Sequence, residues 1–258
     1  MPEGDTIHHA AARVGAVLTG RVPDAILTPH PRHSRERWPE RLTGRGVSSV
    51  DAYGKHLFVR FEGGLTLHSH LRMTGAWGVY TAGERWRRAR NRAWLVMESG
   101  GAEVVQFDGP VLELMADSRT RTDPRLAALG QDILGAAFDE AQFLVRLRAD
   151  DHTRPIGDAL LEQRTVAGIG NLWKCEACFA AGVDPWRAQA EVSDEEVLAV
   201  VAFARDRMRV CVESGYRMRP RDVYKRAGKP CVRCGGTIRS GGQWENNRIT
   251  YWCAECQS

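Results

Sequence analysis

The amino-acid sequence predicts an α+β protein: an N-terminal helix with a β-sandwich, then a helical domain, then a small finger bounded by cysteines. Three observations lead to this prediction. Residues 23 to about 115 alternate polar and apolar side chains between glycines, and residues 125 to about 216 show helical apolar spacing. The last 34 residues are short, glycine-rich and bounded by cysteines. We therefore place domains at residues 1–118, 125–222 and 225–258.

The first predicted element is an amphipathic helix over residues 3 to about 19. Ile7, Val14 and Leu18 recur at intervals that place them on one helical face. Glu3 and Asp5 lie in the first turn, where the helix dipole favours acidic side chains. This helix would cover one side of the β-sandwich.

Strands and then helices follow the first helix. Residues 56–61, 64–68 and 93–97 carry the two-residue alternation of half-buried strands. A polar, turn-like segment around residues 117–124 suggests a linker, and four helical stretches follow at 143–147, 156–163, 172–181 and 195–213. Two packed domains with an appended finger fit a chain of 258 residues.

Composition and charge narrow the class of protein. The chain is 43% hydrophobic and 26% charged, as in globular proteins, and no apolar run reaches the roughly 18 residues that span a membrane. The N-terminus lacks an export signal, which indicates a cytoplasmic chain. Net charge is +4, with five arginines in residues 85–92 and a second basic stretch over 217–229. Such clusters suit nucleic-acid phosphates or form an ordinary solvated surface.

The cysteine spacing predicts one structural Zn²⁺ per chain. Cys231 and Cys234 form one Cys-x-x-Cys pair, and Cys253 and Cys256 form another after eighteen intervening residues. Four thiolates leave no open coordination position, so the metal would hold a β-hairpin rather than perform chemistry. The three other cysteines lie in the helical region, where we expect buried small side chains rather than a second metal site.

The N-terminus offers a nucleophile. Removal of Met1 would expose the secondary amine of Pro2, and an α-amine titrates near 8 against about 10.4 for lysine. Attack on a sugar C1′ would give an iminium ion, and Glu3 could handle protons at the sugar or base. Alternatively, Pro2 merely begins a helix, a position that proline tolerates well. With Met1 attached, Pro2 cannot be the nucleophile.

Four segments occur in a characteristic order: residues 1–5 (Met-Pro-Glu-Gly-Asp), 53–57 (Tyr-Gly-Lys-His-Leu), 167–171 (Ala-Gly-Ile-Gly-Asn) and 248–253 (Arg-Ile-Thr-Tyr-Trp-Cys). With the cysteine spacing, they resemble the formamidopyrimidine-DNA glycosylase and endonuclease VIII family over essentially the whole chain. The resemblance implies a catalytic N-terminal domain, a helix–two-turn–helix DNA-binding domain and a zinc finger. It also implies a monomeric enzyme of base excision repair that acts on damaged DNA without a soluble cofactor and associates with the nucleoid.

The same resemblance implies catalytic roles for four residues. Pro2 matches the Schiff-base nucleophile and Glu3 the acid/base residue. Lys55 matches a lysine that transfers protons in β-elimination, although most turn lysines are simply solvated. Arg248 matches the finger arginine that assists δ-elimination, and the metal would stiffen the hairpin that carries it.

Three residues are expected to contact DNA. Asn171 matches the helix–two-turn–helix asparagine. We expect it to cap the following helix, whose N-terminus would bind a phosphate. The alternative is that Asn171 is an ordinary helix cap without a role in DNA binding. The family flips the damaged nucleotide out of the duplex and fills the gap with side chains. Residues 68–75 resemble the loop that supplies this wedge: Arg72 aligns with a DNA-contacting glutamine of endonuclease VIII, and Met73 is the apolar candidate. The alternative is a strand end that belongs to the core.

Departures from the family pattern bear on the substrate. Formamidopyrimidine glycosylases insert an arginine and a phenylalanine from an Asp-Pro-Arg-Arg-Phe-Gly segment, but the comparable residues 106–113 (Gln-Phe-Asp-Gly-Pro-Val-Leu-Glu) lack this segment and its Arg-Phe pair. Residues 215–225 leave little room for the loop that caps oxidised purines. Both departures favour the endonuclease VIII branch and oxidised pyrimidines. Against this, Ala128 stands where endonuclease VIII has a DNA-binding arginine, and Arg125 is displaced from that position.

Three functions therefore stay open at this point. The first is a bifunctional glycosylase and lyase for oxidised pyrimidines, which cleaves the strand by β,δ-elimination. The second is an oxidised-purine glycosylase of the same fold. The third is a non-catalytic protein that binds damaged DNA, against which the presence of Pro2, Glu3 and Lys55 argues.

Overall fold

A computed structural model describes residues 2–243 and 247–258, except for the side chains of Ser34 and Tyr216. The chain divides into two compact units, Met1–Ala127 and Ala128–Ser258. Within the described ranges, we find no helix with both the length and the apolar character needed to cross a membrane.

The N-terminal unit contains two four-stranded antiparallel sheets. Its helices are α1 (Gly4–Leu18), α2 (Pro31–Ser34), α3 (Trp38–Leu42), α4 (Arg119–Thr122) and α5 (Pro124–Ala127), with a 3₁₀ turn at Arg90–Arg92. Its strands are β1 (Ala25–Leu27), β2 (Val47–Tyr53), β3 (His56–Phe61), β4 (Leu65–His70), β5 (Ala76–Thr81), β6 (Ala93–Ser99), β7 (Ala102–Phe107) and β8 (Val111–Ala116). One sheet has the order β2-β3-β4-β8 and the other β1-β6-β7-β5.

An apolar core joins the two sheets and α1. Leu57 and Leu67 of the first sheet, Leu95 and Val104 of the second, and Val14 of α1 belong to one cluster and are at most 1% exposed. Burial of each such side chain stabilises the fold by about 1.5–3 kcal/mol. The predicted β-sandwich behind an N-terminal helix is therefore confirmed.

The segment that suggested a linker packs onto the N-terminal unit. Asp117 forms an ion pair with Arg60 and accepts a hydrogen bond from Thr66 Oγ1 at 3.0 Å. Asp123 is only 4% exposed and binds Arg125. The division between the units falls after Ala127, and the three-domain boundaries stay a prediction.

The C-terminal unit is helical and carries a β-hairpin. Its helices are α6 (Glu140–Arg148), α7 (Ile156–Ala159), α8 (Asn171–Ala181) and α9 (Asp194–Ser214), with 3₁₀ turns at Gln189–Glu191 and Tyr216–Met218. Its strands are β9 (Gln131–Asp132), β10 (Val166–Ala167), β11 (Arg239–Gln243) and β12 (Arg248–Trp252). Strands β9 and β10 are parallel, whereas β11 and β12 form the antiparallel hairpin of the predicted finger.

Local sequence sets the ends of the two longest helices in this unit. A capping box opens α9: Ser193 N–H donates to Glu196 Oε2 at 2.7 Å, and Glu196 N–H donates to Ser193 Oγ at 3.2 Å. Gly182 ends α8 with a φ of +75°, in the left-handed region that favours glycine. Phe143 and Trp173 lie fully buried among these helices.

Candidate active site

Pro2 and Glu3 lie immediately before α1. Glu3 is the N-cap residue, its backbone N–H donates to Thr6 Oγ1 at 3.4 Å, and its side chain is buried at 1% exposure. Pro2 is half-buried and precedes the cap, so it does not occupy the first helical position, which is Gly4. A buried carboxylate therefore stands next to the predicted nucleophile. Met1 lies outside the described residues.

Lys55 lies in the two-residue turn between β2 and β3. Gly54 takes a φ of 56°, which allows the tight reversal, and the turn is closed by the Tyr53–His56 strand pair. Lys55 is half-buried rather than fully solvated. Its ammonium group is close enough to help lower the pKa values of His56 and His70.

Three histidines form a cluster behind this turn. His56 Nδ1 lies 2.8 Å from His68 Nε2, and the His56 and His70 rings are 4.7 Å apart. His68 Nδ1 lies 3.7 Å from Glu113 Oε2. Burial, reinforced by neighbouring positive charge, lowers the pKa of His56 to about 2 and that of His70 to about 4. Both rings are therefore neutral at physiological pH.

Sequence reasoning missed this histidine cluster, although a signal was present. His68 and His70 are two residues apart on β4, so they share one face of the sheet. His56 pairs with His70 across strands β3 and β4, which adds the third ring.

The loop after β4 exposes Met73. The Gly75 N–H donates to the Leu71 carbonyl at 2.9 Å, and the Arg72 N–H donates to His70 Nδ1 at 3.2 Å. A Cβ at Gly75 would lie 2.8 Å from the Leu71 oxygen, so the turn needs glycine. Leu71 is buried in the core, so the strand end does contribute to it, whereas Arg72 is exposed and Met73 is 60% exposed and the two candidate residues lie outside the core.

Asn171 does not cap α8, so that prediction is wrong. Gly170 occupies the N-cap position and Asn171 is the first helical residue. The Asn171 Nδ2 instead donates to the Ile249 carbonyl at 2.7 Å. Because Ile249 follows Arg248 on β12, this bond ties the start of α8 to the hairpin strand that carries the predicted finger arginine.

A buried lysine strengthens the same connection. Lys174 is fully buried on α8, and its Nζ lies 2.5 Å from Thr250 Oγ1 and 3.1 Å from Gln243 Oε1. Gln243 is the strand partner of Arg248, so Lys174 bonds to both strands near the turn that connects them. Residues 244–246 lie outside the described residues. The sequence signal was a lysine among apolar helix positions, and sequence reasoning missed it.

The four C-terminal cysteines form a cluster that could hold a metal ion. Their Sγ atoms all lie within 4.8 Å of one another, with 3.8 Å between Cys231 and Cys256 and 3.5 Å between Cys234 and Cys253. A tetrahedral zinc–thiolate site with bonds of about 2.3 Å places its sulfurs about 3.8 Å apart. The donor set and its spacing therefore fit zinc.

The remaining cysteines lie in the apolar interior, as predicted. Cys175 and Cys178 are fully buried on α8, and Cys211 is 1% exposed. Burial raises the pKa of the Cys178 thiol to about 12, which keeps it protonated.

The predicted site residues fall into two groups, one in each unit. The structure brings Asn171 and Arg248 together through the Ile249 carbonyl. The N-terminal unit holds Pro2, Glu3, Lys55, Arg72 and Met73, and the C-terminal unit holds Asn171, Arg248 and the four cysteines.

Two family models match the chain. The formamidopyrimidine-DNA glycosylase N-terminal domain matches residues 1–110, and the formamidopyrimidine-DNA glycosylase H2TH domain matches residues 129–219.

Two bacterial relatives align with the whole of this chain. It is 40% identical to a probable endonuclease 8 2 of Streptomyces coelicolor, over 100% of this chain and 94% of that protein. It is 36% identical to the DNA-(apurinic or apyrimidinic site) lyase Nei2 of Mycolicibacterium smegmatis, over 100% of this chain and 99% of that protein. A crystal structure of Lactococcus lactis formamidopyrimidine-DNA glycosylase bound to DNA with an abasic site shares the fold, with a TM-score of 0.84, 22% identity and 99% of both chains covered.

Proposed function

Because the chain belongs to the formamidopyrimidine-DNA glycosylase and endonuclease VIII family, we propose that it excises oxidised bases, pyrimidines in preference, through a Schiff base on Pro2. It is a DNA glycosylase and apurinic/apyrimidinic-site lyase of base excision repair. The observation that carries the finer proposal is the position of Pro2 directly before the buried carboxylate of Glu3.

The chemistry follows from the two N-terminal residues. After Met1 is removed, the Pro2 nitrogen is a secondary amine that is partly unprotonated near neutral pH. Its lone pair forms a bond to C1′ as the bond to the damaged base breaks, and the base leaves with that electron pair. Glu3 transfers the protons that this exchange requires at the sugar or base. The C1′–O4′ bond then breaks as the nitrogen lone pair forms a C=N bond to C1′, and O4′ leaves with the electron pair of the broken bond and takes up a proton. The product is an iminium ion linking the protein to the ring-opened sugar of the DNA.

Strand cleavage needs further proton transfers. Lys55 is half-buried at a turn with little conformational freedom, which suits a lysine that transfers protons in β-elimination. Arg248 would assist δ-elimination from the start of β12, where Asn171 and Lys174 anchor the neighbouring residues. A residue that acts on a reacting sugar needs a fixed position of this kind.

Binding of a monomer to damaged duplex would use three residues. The start of α8, with Asn171, would contact a phosphate. Arg72 and Met73 lie on an exposed loop, where an apolar side chain can fill the space that a flipped nucleotide leaves.

A structural zinc ion would hold the finger. Cys231, Cys234, Cys253 and Cys256 supply a complete tetrahedral set, so the metal would crosslink the two ends of the β11–β12 segment and supply no catalytic chemistry.

Two features of the chain support oxidised pyrimidines as the substrate class. The connection between β7 and β8 contains only residues 108–110, without the arginine and phenylalanine that purine-specific relatives insert. The segment between α9 and the first zinc cysteine is short as well, which leaves little room for a loop over an oxidised purine.

The test compares duplexes with a single 5,6-dihydrouracil or 8-oxoguanine, and follows excision in single turnovers and borohydride trapping of the adduct. We expect faster excision of dihydrouracil and a trapped adduct with both strand-cleavage products. Faster excision of 8-oxoguanine would contradict the substrate class. Tight binding without any trapping would support a non-catalytic damaged-DNA-binding protein instead.

A further inference from the structure

Two loops of the N-terminal unit are joined by a polar cluster. The first is the Met73 loop, residues 71–75, and the second is the β7–β8 connection, residues 108–110. Each contains a non-glycine residue in the left-handed region, Arg72 with a φ of 47° and Asp108 with a φ of 46°. Such conformations are costly and persist where surrounding contacts hold them.

Arg88 connects the two loops. Its Nη1 donates to the Thr74 carbonyl and to Asp108 Oδ2, both at 2.6 Å. Thr74 directly follows Met73, so this bond fixes the backbone next to the exposed side chain. The Thr74 hydroxyl also lies 3.5 Å from the Asp108 carbonyl, which adds a weaker contact between the loops.

Arg92 holds the carboxylate that Arg88 shares. Its Nε and Nη2 lie 3.0 and 2.6 Å from the two Asp108 oxygens, a bidentate pair, and its carbonyl accepts the Asp108 N–H at 3.1 Å. Burial alone would raise the pKa of Asp108, but hydrogen bonds from Arg92 and Arg88 outweigh it and hold this pKa below its ordinary value. Asp108 is therefore a charged, fixed anchor for Arg88.

We infer that Arg88 is a positioning residue for the Met73 wedge. The inference rests on the proposed function, because it assigns to Met73 the filling of the gap left by a flipped nucleotide. Met73 is 60% exposed, so packing does not hold it, and the loop depends on backbone contacts for its shape. Inserting a side chain between stacked bases costs a few kcal/mol. A loop without a fixed conformation would position that side chain poorly.

The arginine-rich segment supplies a matched control. Arg87 is exposed and adjacent in sequence, so Arg87→Gln removes the same charge from the same segment. Arg88→Gln removes in addition the bonds to Thr74 and Asp108. A difference between the two variants therefore reports the contacts and not the charge.

The experiment measures two activities of the full-length protein. The first is single-turnover excision of 5,6-dihydrouracil from a duplex, where the nucleotide must be flipped. The second is borohydride trapping on a single-stranded oligonucleotide with an abasic site, where no duplex has to be opened. We expect Arg88→Gln to slow duplex excision about ten-fold or more, the scale of one lost charged hydrogen bond, while single-strand trapping stays within about two-fold of wild type. Arg87→Gln should leave both activities near wild type.

A double-mutant cycle tests whether Arg88 acts through Met73. If it does, Arg88→Gln combined with Met73→Ala should excise the duplex lesion about as slowly as Met73→Ala alone. Asp108→Asn, which weakens both arginine contacts, should show the same selective loss on duplex.

Three results would overturn the inference. They are equal duplex excision by the Arg87 and Arg88 variants, independent losses that multiply in the double variant, or loss of single-strand trapping by Arg88→Gln, which would assign the arginine to the fold in general. Failure of the proposed function looks different, since the wild-type protein would then trap no abasic oligonucleotide at all.

Discussion

Acidification should destabilise the N-terminal unit through His56 and His70. The two rings lie 4.7 Å apart on β3 and β4. Burial and nearby positive charge hold their pKa values at about 2 and about 4, far below the 6.5 of an exposed histidine. The folded protein thus keeps both rings neutral at a pH where the unfolded chain protonates them.

The sign and size of the effect follow from proton linkage. The contribution of the neutral rings is fully present above pH 6.5 and is lost as the pH falls towards the folded pKa values. Between about pH 7.5 and about pH 5.5, each histidine should lower the free energy of unfolding by about 1.3 kcal/mol, or about 2.7 kcal/mol for the pair.

Urea unfolding at the two pH values would measure this loss. His70→Gln should remove about 1.3 kcal/mol of the pH-dependent change, whereas His152→Gln, at an exposed position of the other unit, should leave the change intact. Hydrogen exchange of peptides spanning β3 and β4 would locate the destabilisation. If His70→Gln had the same pH dependence as wild type, the reasoning from burial would be refuted.

Three further predictions concern the C-terminal unit. Cys253→Ala should abolish metal binding and unfold the finger while the rest stays folded, and less than about half an equivalent of metal in purified wild-type protein would contradict the zinc site. Asn171→Ala should weaken binding to damaged and undamaged duplexes alike, because phosphate contacts carry no base information, so a change confined to one lesion's turnover would argue against this role. Arg248→Ala should still form the Schiff base but shift strand-cleavage products from δ- towards β-elimination, and an unchanged product ratio would remove Arg248 from the reaction.

Local patterns predicted much of the fold. The spacing of Ile7, Val14 and Leu18 placed a helix over residues 3–19, and α1 spans Gly4–Leu18. Alternating side chains located β3 and β6 because successive residues of a strand point to opposite faces of the sheet. The cysteine spacing placed four sulfurs together, since each Cys-x-x-Cys pair sits on one tight turn.

Such local patterns could not predict contacts between residues that are far apart in the sequence. The Asn171 side chain finds its partner at Ile249, 78 residues away, so its expected role as a cap was wrong. Lys174 bonds to Thr250 across 76 residues. In each case the partner is determined by how the helices and strands pack. The periodicity of the sequence carries no information about that packing.

The N-terminal clusters show the same limit. The arginines of residues 85–92 suggested a basic surface that suits nucleic-acid phosphates or is simply solvated, but Arg88 and Arg92 bind Asp108 while Arg87 is exposed. The positive charge of this segment could be predicted from the sequence. Which of its arginines bind Asp108 depends on the position of the β7–β8 connection, which the sequence pattern does not show. Roles assigned to Pro2 and its neighbours came from the motifs in order and stay predictions.

The central claim is that Pro2 is the covalent nucleophile, and peptide mapping of the borohydride-trapped adduct tests it most directly. The Pro2 nitrogen, once terminal, titrates near working pH, whereas a lysine would need its pKa lowered by roughly two units to compete. Mass spectrometry should place the DNA adduct on the N-terminal peptide that begins at Pro2, and Glu3→Gln should lose base removal yet still trap on a preformed abasic site. An adduct on Lys55, or full activity in protein that retains Met1, would contradict the proline mechanism.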